Sequence, residues 1–142
     1  MKDTSYDSDN IFARILRGEM PSHKVYEDEE TFVMMDIMPR EDGHCLILPK
    51  APARNILDIS EESLVAVAKT TRKVAKAVKD VFEADGVTIQ QFNEPAGGQV
   101  VFHLHVHVIP RFAGEKLRPH TGEMASKDSL AVNAEKLRAA LN

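Results

Sequence analysis

Between Phe102 and Ile109 the chain reads Phe-His-Leu-His-Val-His-Val-Ile, and no other stretch restricts the fold so tightly. Strict apolar/polar alternation is the period of a half-buried β-strand, whose side chains point to opposite faces in turn. His103, His105 and His107 are expected on one face, with Phe102, Leu104, Val106 and Val108 on the other against a core. A single buried histidine is commonly structural. Three in register are not a packing device, because each imidazole that leaves water needs hydrogen-bond partners. Titratable groups clustered on a pocket wall mark sites. Alternate residues of a strand lie about 6.7 Å apart, which puts His103 and His107 about 13 Å apart. One zinc ion, with bonds of about 2.0–2.1 Å, could take two neighbouring imidazoles but hardly all three. An extended anion such as a phosphate chain suits the row better. One imidazole can attack phosphorus while its neighbours donate hydrogen bonds or protons near neutral pH.

Size and composition bound the rest. A chain of 142 residues is most simply one domain with a substantial core, and 43% hydrophobic with 28% charged residues is ordinary for a globular protein. The net charge of −4 and the lack of a dense Lys/Arg run argue against a nucleic-acid partner. Cys45 is the single cysteine, so no internal disulfide or cysteine metal cluster is expected, and a reducing cytoplasm is the natural compartment. The polar, acidic start is unlike a signal peptide, and no apolar run approaches a membrane span.

Taken in order, residues 1–9 read as a flexible lead-in. Asp9 or Asn10 can cap a short helix through Ile11, Phe12, Ile15 and Leu16 that stops at Gly18. Residues 24–28 and 31–36 read as a hairpin, and 44–49 as a third strand closed by Pro49 and Pro52. Ser60 with Glu61 and Glu62 is a helix start. Leu64, Val67, Thr71, Val74, Val78 and Val81 then recur at spacings of three and four, which predicts one amphipathic helix of about seven turns ending near Asp85-Gly86. Its stripe reads as core. Residues 87–93 form a fourth strand, 94–99 a Pro/Gly-rich loop, and the histidine strand follows. After Arg111 a polar tail with Gly114, Pro119 and Gly122 leads to a short final helix through Leu130, Ala134, Leu137 and Leu141, capped by Ser126 or Ser129. The sum is an α+β layout: about five antiparallel strands, one long helix on a face, a short N-terminal helix and a C-terminal helix.

His-φ-His-φ-His-φ-φ, with φ apolar, is the signature of the histidine triad (HIT) family of nucleotide hydrolases and transferases, which this chain resembles from about Ile11 to Phe112. The resemblance is to the hydrolase branches; the uridylyltransferase branch carries His-Pro-His-x-Gln, where this chain has Leu104 and His107. It implies a HIT-like α+β fold and a single HIT domain spanning 1–142, with its core at about 10–112 and the tail at 113–142. It also implies attack on the α-phosphorus of a purine nucleotide by His105, giving a nucleotidyl-histidine that water cleaves. His107 would contact the phosphate and leaving group, His103 would orient the row, and His44 matches a fourth family histidine beside the triad. Gly98 and Gln99 precede the triad at the family's spacing, and a glycine loop with amide donors can approach a phosphate. Asn93 fits the family's phosphate-side asparagine. Asp36 aligns with the acid that holds the ribose hydroxyls, since a carboxylate can accept both protons. Ile11, Phe12, Ile15, Met34, Ile37 and Leu46 match the base pocket, although by composition alone each is core.

Two departures stand out. The residue after Gly-Gln is usually Ser or Thr, and here it is Val100, so a hydroxyl donor is missing. Where some members carry Cys-x-x-Cys for zinc, this chain has Asn10-Ile11-Phe12-Ala13, so no metal or other cofactor is expected; the cysteines of the aprataxin-like extension are missing too. His23 and His120 match no site position. The reading closest to the residues is a nucleoside phosphoramidase, with a dinucleoside polyphosphate hydrolase as its neighbour. A slow-turnover nucleotide-binding regulator and a metal-binding protein using His103, His105 and His44 belong to other classes. A cytoplasmic homodimer joined through the long helix and a strand is the family expectation.

Overall fold

The computed structural model describes residues 3–120 and 123–141; Met1 and Lys2 of the lead-in and Gly122 of the tail lie outside the described residues. The elements in order are α1 (Ile11–Leu16), β1 (Lys24–Glu27), β2 (Thr31–Met35), β3 (Cys45–Pro49), α2 (Glu61–Val81), β4 (Gly86–Gln90), β5 (Val106–Arg111) and α3 (Lys127–Leu141). The five strands form one antiparallel sheet in the order β1-β2-β3-β5-β4, the α+β architecture expected from the patterning.

Side-chain alternation on the central strands sorts residues to two faces. Val33 and Met35, Cys45 and Ile47, and Val106 and Val108 face α2 and α3, where Val67, Val74, Val78, Leu130, Ala134 and Leu137 complete the main core. Phe32, Met34, Leu46 and Leu48 face the other way and pack under Phe12 of α1. His107 pairs with Leu46 across β3 and β5, on this second face. The short α1 thus covers only part of its side of the sheet, and the histidines occupy ground beside it.

Local signals place the helices. The Asn10 side chain accepts from Ala13 N–H to cap α1, and Ser60 accepts from Ser63 N–H to cap α2, with Glu61 and Glu62 complementing the dipole of its first turn. α2 is a turn shorter than its stripe suggests. It ends where Glu83 takes a left-handed conformation (φ 51°) and Ala84 N–H reaches back to Lys79 O. α3 is longer than a short terminal helix. Ser126 caps it, accepting from Ser129 N–H, and Arg138 donates to the Lys24 carbonyl, tying it to β1.

The histidine stretch corrects the expectation of a continuous strand. β5 begins at Val106, and His103-Leu104-His105 is bent off the ladder. Leu104 N–H donates to Ala53 O (2.9 Å), a loop carbonyl, so this peptide is turned away from β3. Phe102 accordingly is not in the core; the Arg54 guanidinium lies 4.3 Å over its ring. β4 ends at Gln90, short of the expected 93, because the side chains of Gln91 and Asn93 bond each other and the neighbouring loop.

Gly43 fixes the approach to His44. Its φ is +99°, and a Cβ there would lie 2.6 Å from the Phe82 ring just past α2. Gly43→Ala is expected to cost about 1–3 kcal/mol through backbone strain and overpacking. Denaturant unfolding of the variant beside wild type checks this.

Candidate functional site

Four buried imidazoles meet on the α1 side of the sheet, each with a tautomer that its neighbours dictate. His105 Nδ1 lies 2.8 Å from the carbonyl of His103. A carbonyl only accepts, so Nδ1 carries the proton and Nε2 is a bare lone pair. His44 Nδ1 accepts from the Arg40 backbone N–H (3.1 Å), which leaves the His44 proton on Nε2. That Nε2–H donates to His107 Nδ1 (2.9 Å), so His107 carries its own proton on Nε2. His103 donates from Nε2 to the Pro49 carbonyl (2.8 Å) and accepts at Nδ1 from the Tyr6 hydroxyl (2.7 Å).

The result is a bare lone pair on His105 beside an N–H donor on His107. The rings of His105 and His107 are 5.0 Å apart, closer than alternate positions on a regular strand would hold them, because the bend at 103–105 folds His105 back. Phe12 packs edge-on to His105 at 4.9 Å, and Phe92 packs edge-on to His107 at 5.6 Å. Both rings exclude water from the imidazoles. Burial holds all four below the ordinary histidine range, His103 at about 4 and His107 at about 3, with His44 and His105 lowered in the same direction.

Asp36 lies at the other end. Its Oδ1 accepts from Met38 N–H (2.8 Å), and its Oδ2 sits 3.4 Å from His44 Nε2 and 3.6 Å from His120 Nε2. Burial raises its carboxyl above the usual range. His120 reaches it from the tail, where Arg118 and Arg40 exchange backbone and side-chain bonds and Ala125 N–H donates to Ile37 O. Asp36 Oδ2, His44 Nε2 and His107 Nδ1 lie within 4.8 Å of one another, close enough to suggest a metal. The donor set does not fit one. The Arg40 N–H aimed at His44 Nδ1 keeps the proton on Nε2, the atom a metal would need bare.

The remaining expected residues fall on the same side. Met34, Leu46 and Phe12 form the floor with Ile15 at its edge, while Ile11 and Ile37 stand 42% and 40% exposed at the rim. Gly98 takes φ +97° beside the Phe92 ring. Gln99 has a different place from the one expected. Its Nε2 hydrogens go to Arg54 O (2.7 Å) and Val101 O (3.1 Å), and its Oε1 accepts from Glu94 N–H and Asn55 Nδ2. The side chain is saturated and builds the loop, so it has no hydrogen left for a phosphate. Asn93 Oδ1 likewise accepts from Ile56 N–H and Gln91 Nε2. Sequence reasoning missed Tyr6 and His120, and also Arg40, whose contribution is a backbone N–H. A lone aromatic in a polar segment was the available signal for Tyr6.

Four buried histidines with lowered affinity for protons set the pH dependence of folding. The unfolded chain takes up their protons near pH 6.5, and the folded chain only at lower pH, near 4 for His103 and near 3 for His107. Stability is therefore full above about pH 6.5 and falls as pH drops towards 4, by on the order of 1 kcal/mol per histidine between pH 7 and 5. The raised Asp36 carboxyl acts in the opposite sense, but it is one group against four. Urea midpoints at pH 7 and 5 measure the effect, and His103→Gln is expected to flatten it.

Residues 17–114 match the HIT domain family. A crystal structure of a HIT-like protein from Bartonella henselae, described as involved in cell-cycle regulation, superposes with a TM-score of 0.91 and 49% identity, covering 96% of this chain and all of that one. A hypothetical histidine triad nucleotide-binding protein from Sulfolobus tokodaii superposes at 0.84 with 31% identity, covering 92% of this chain and 90% of that one. The adenylylsulfatase HINT3 of Arabidopsis thaliana is 30% identical over 94% of this chain and 71% of that protein.

Proposed function

This chain belongs to the HIT family of nucleotide-binding proteins, and we propose that it hydrolyses a purine nucleotide at the α-phosphorus through a nucleotidyl-histidine on His105. The observation that carries the reading is the bond from His105 Nδ1–H to the His103 carbonyl, which leaves Nε2 deprotonated with no hydrogen-bond partner among the described residues. In the first step Nε2 attacks phosphorus and the bond to the leaving group breaks. The imidazole becomes cationic, and the His103 carbonyl on Nδ1–H stabilises that charge. His107, which takes up a proton from solvent when the anionic phosphate is seated beside it, gives the Nε2 proton to the departing group and returns to its neutral form. In the second step water attacks phosphorus, the bond from phosphorus to His105 Nε2 breaks, neutral His107 accepts the water's proton, and the nucleoside monophosphate leaves with His105 restored.

Gly98 and the backbone of its loop supply the phosphate side, where an exposed Val100 stands in place of a hydroxyl donor. Asn93 and Gln99 hold that loop. Asp36 takes the ribose hydroxyls when they displace its contacts with His44 and His120. Ile11, Phe12, Ile15, Met34, Ile37 and Leu46 line the base. A nucleoside phosphoramidate is the favoured substrate class; an adenylyl sulfate or a dinucleoside polyphosphate presents the same α-phosphorus. The domain is a single HIT unit, and a reducing cytoplasm suits the buried thiol of Cys45.

His105→Ala should lose several orders of magnitude of turnover while still binding nucleotide. Peptide mass spectrometry of wild-type protein quenched during turnover of adenosine phosphoramidate should place a nucleoside monophosphate on the peptide containing His105. A label on another histidine, or near-normal turnover by His105→Ala, refutes the assignment. Wild-type protein that binds nucleotide but turns over none of the three substrate classes is the slow regulator instead.

We also propose a homodimer. β4 is an edge strand with Ile89 53% exposed, and α2 carries half-exposed Val65, an unpaired edge and a face that a second copy would cover. Light scattering at micromolar concentration should report twice the chain mass.

A further inference from the structure

His103 occupies a place in this site that its own chemistry does not explain. Its ring is fully buried, both of its nitrogens are taken by Pro49 O and the Tyr6 hydroxyl, and its side chain offers nothing to a phosphate. What His103 does offer is its backbone carbonyl, the acceptor that fixes the tautomer of His105. That carbonyl lies in the bent segment before β5, so no sheet ladder holds it; the first ladder pair of β5 with β3 is Val106 with Ile47. The peptide is held by Leu104 N–H on Ala53 O and by the two ends of the His103 ring.

We propose that Tyr6 is a positioning residue for the nucleophile, acting on His105 through His103; this rests on the reading of His105 given above. Pro49 O accepts from His103 Nε2–H, so Nδ1 is a bare lone pair in a buried place, and the Tyr6 hydroxyl at 2.7 Å is its donor. The tyrosine ring also packs edge-on to the imidazole at 5.6 Å. Two ring contacts at opposite ends set the rotation of His103, and with it the direction of the carbonyl on the same residue. A chain of four groups follows: Tyr6 O–H to His103 Nδ1, His103 Nε2–H to Pro49 O, His105 Nδ1–H to His103 O, and a lone pair left on His105 Nε2.

Tyr6 is itself anchored from both sides. The Ser5 carbonyl accepts from Arg54, whose guanidinium is held by both oxygens of Glu94 in the phosphate-side loop. The Asp7 carbonyl accepts from Asn10 N–H and Asn10 Nδ2, and Asn10 caps the helix that lays Phe12 against His105. Residues 3–10 are thus part of the site's frame, in place of the loose lead-in their composition suggests. Without the Tyr6 hydroxyl, His103 Nδ1 is an orphaned buried acceptor. Turning the ring to relieve it moves the carbonyl and lets the His105 proton pass to Nε2, the atom that must attack.

The test is Tyr6→Phe in the full chain, read three ways at neutral pH. Long-range proton–nitrogen correlation spectra of ¹⁵N-histidine-labelled protein should show His103 Nδ1 losing its hydrogen-bonded shift and His105 moving to a mixture of tautomers. With adenosine phosphoramidate, kcat should fall about five- to tenfold, the worth of one buried hydrogen bond, while KM changes less than twofold. The same substitution in a His103→Gln background should cost nothing further. The proposal is overturned if the His105 tautomer is unchanged and kcat is as in wild type, if KM rises with kcat unchanged, or if the two substitutions add. Should wild type turn over no such substrate, or should His105→Ala turn over normally, the assigned nucleophile falls. The spectra, which need no turnover, then decide the Tyr6–His103–His105 coupling.

Discussion

One hydrogen bond, from a histidine side chain to the backbone two residues before it, governs this site. For His105 Nδ1 to meet the His103 carbonyl at 2.8 Å the chain must leave strand geometry, since successive strand carbonyls point sideways to neighbouring strands. The chain does leave it. Leu104 turns its N–H to Ala53, the ladder starts at Val106, and the bend brings the rings of His105 and His107 together. Leu104 stays in the main core throughout, so the bend costs no apolar burial. A fully regular strand would bury the same leucine and leave the nucleophile's tautomer to solvent.

The electrostatic character of the pocket follows from burial. Its imidazoles are neutral and its carboxyl resists ionisation, so the empty site keeps little fixed charge out of water. Recognition of an anion then falls to oriented N–H groups. Arg40 N–H starts a relay through His44 and His107 that ends in a donor, and His105 presents a lone pair beside it. A phosphate arriving here brings its own negative charge, which favours the protonated form of a neighbouring imidazole. Anion binding and proton uptake at His107 are therefore linked, and in the proposed reaction the proton for the leaving group becomes easier to hold once substrate is seated.

Much of this was legible in the sequence, and the failures have physical causes. The strands at 31–35 and 45–49 could be read because each is a nearly continuous apolar run, buried along its whole length, and both helix caps announce themselves through Asn10 and Ser60. The triad declared a site because three imidazoles cannot be mere packing. Alternation could not tell a strand from a bent segment that keeps every second residue buried, so the break at 103–105 was invisible. Gln99 looked like a phosphate donor because an amide and two glycines suit one. Its four bonds to Arg54, Val101, Glu94 and Asn55 depend on residues more than forty positions away as well as near ones. Tyr6 and His120 lie in polar segments whose docking depends on tertiary contacts that composition does not encode.

The division of rigidity within the pocket carries a consequence for recognition. On the phosphate side, Glu94 is held at φ +64°, an unfavourable conformation for a residue with a Cβ, which costs on the order of 1 kcal/mol. Arg54, Asn55 and Gln99 all bond to Glu94, offsetting that strain and fixing Gly98 behind it. The same Arg54 reaches Ser5, so the loop, the N-terminal segment and the His103 ring form one framework. On the nucleoside side the contacts are of another kind: Ile11 and Ile37 at an exposed rim, and a tail whose His120 touches Asp36 at 3.6 Å. A frame that must hold phosphorus in line with a nitrogen lone pair tolerates little movement, because misplacement by an ångström costs rate steeply. A base needs only apolar cover. In the proposed reaction, chemistry therefore falls to the part of the site that side-chain networks lock, and nucleoside recognition to the more exposed part beside Asp36.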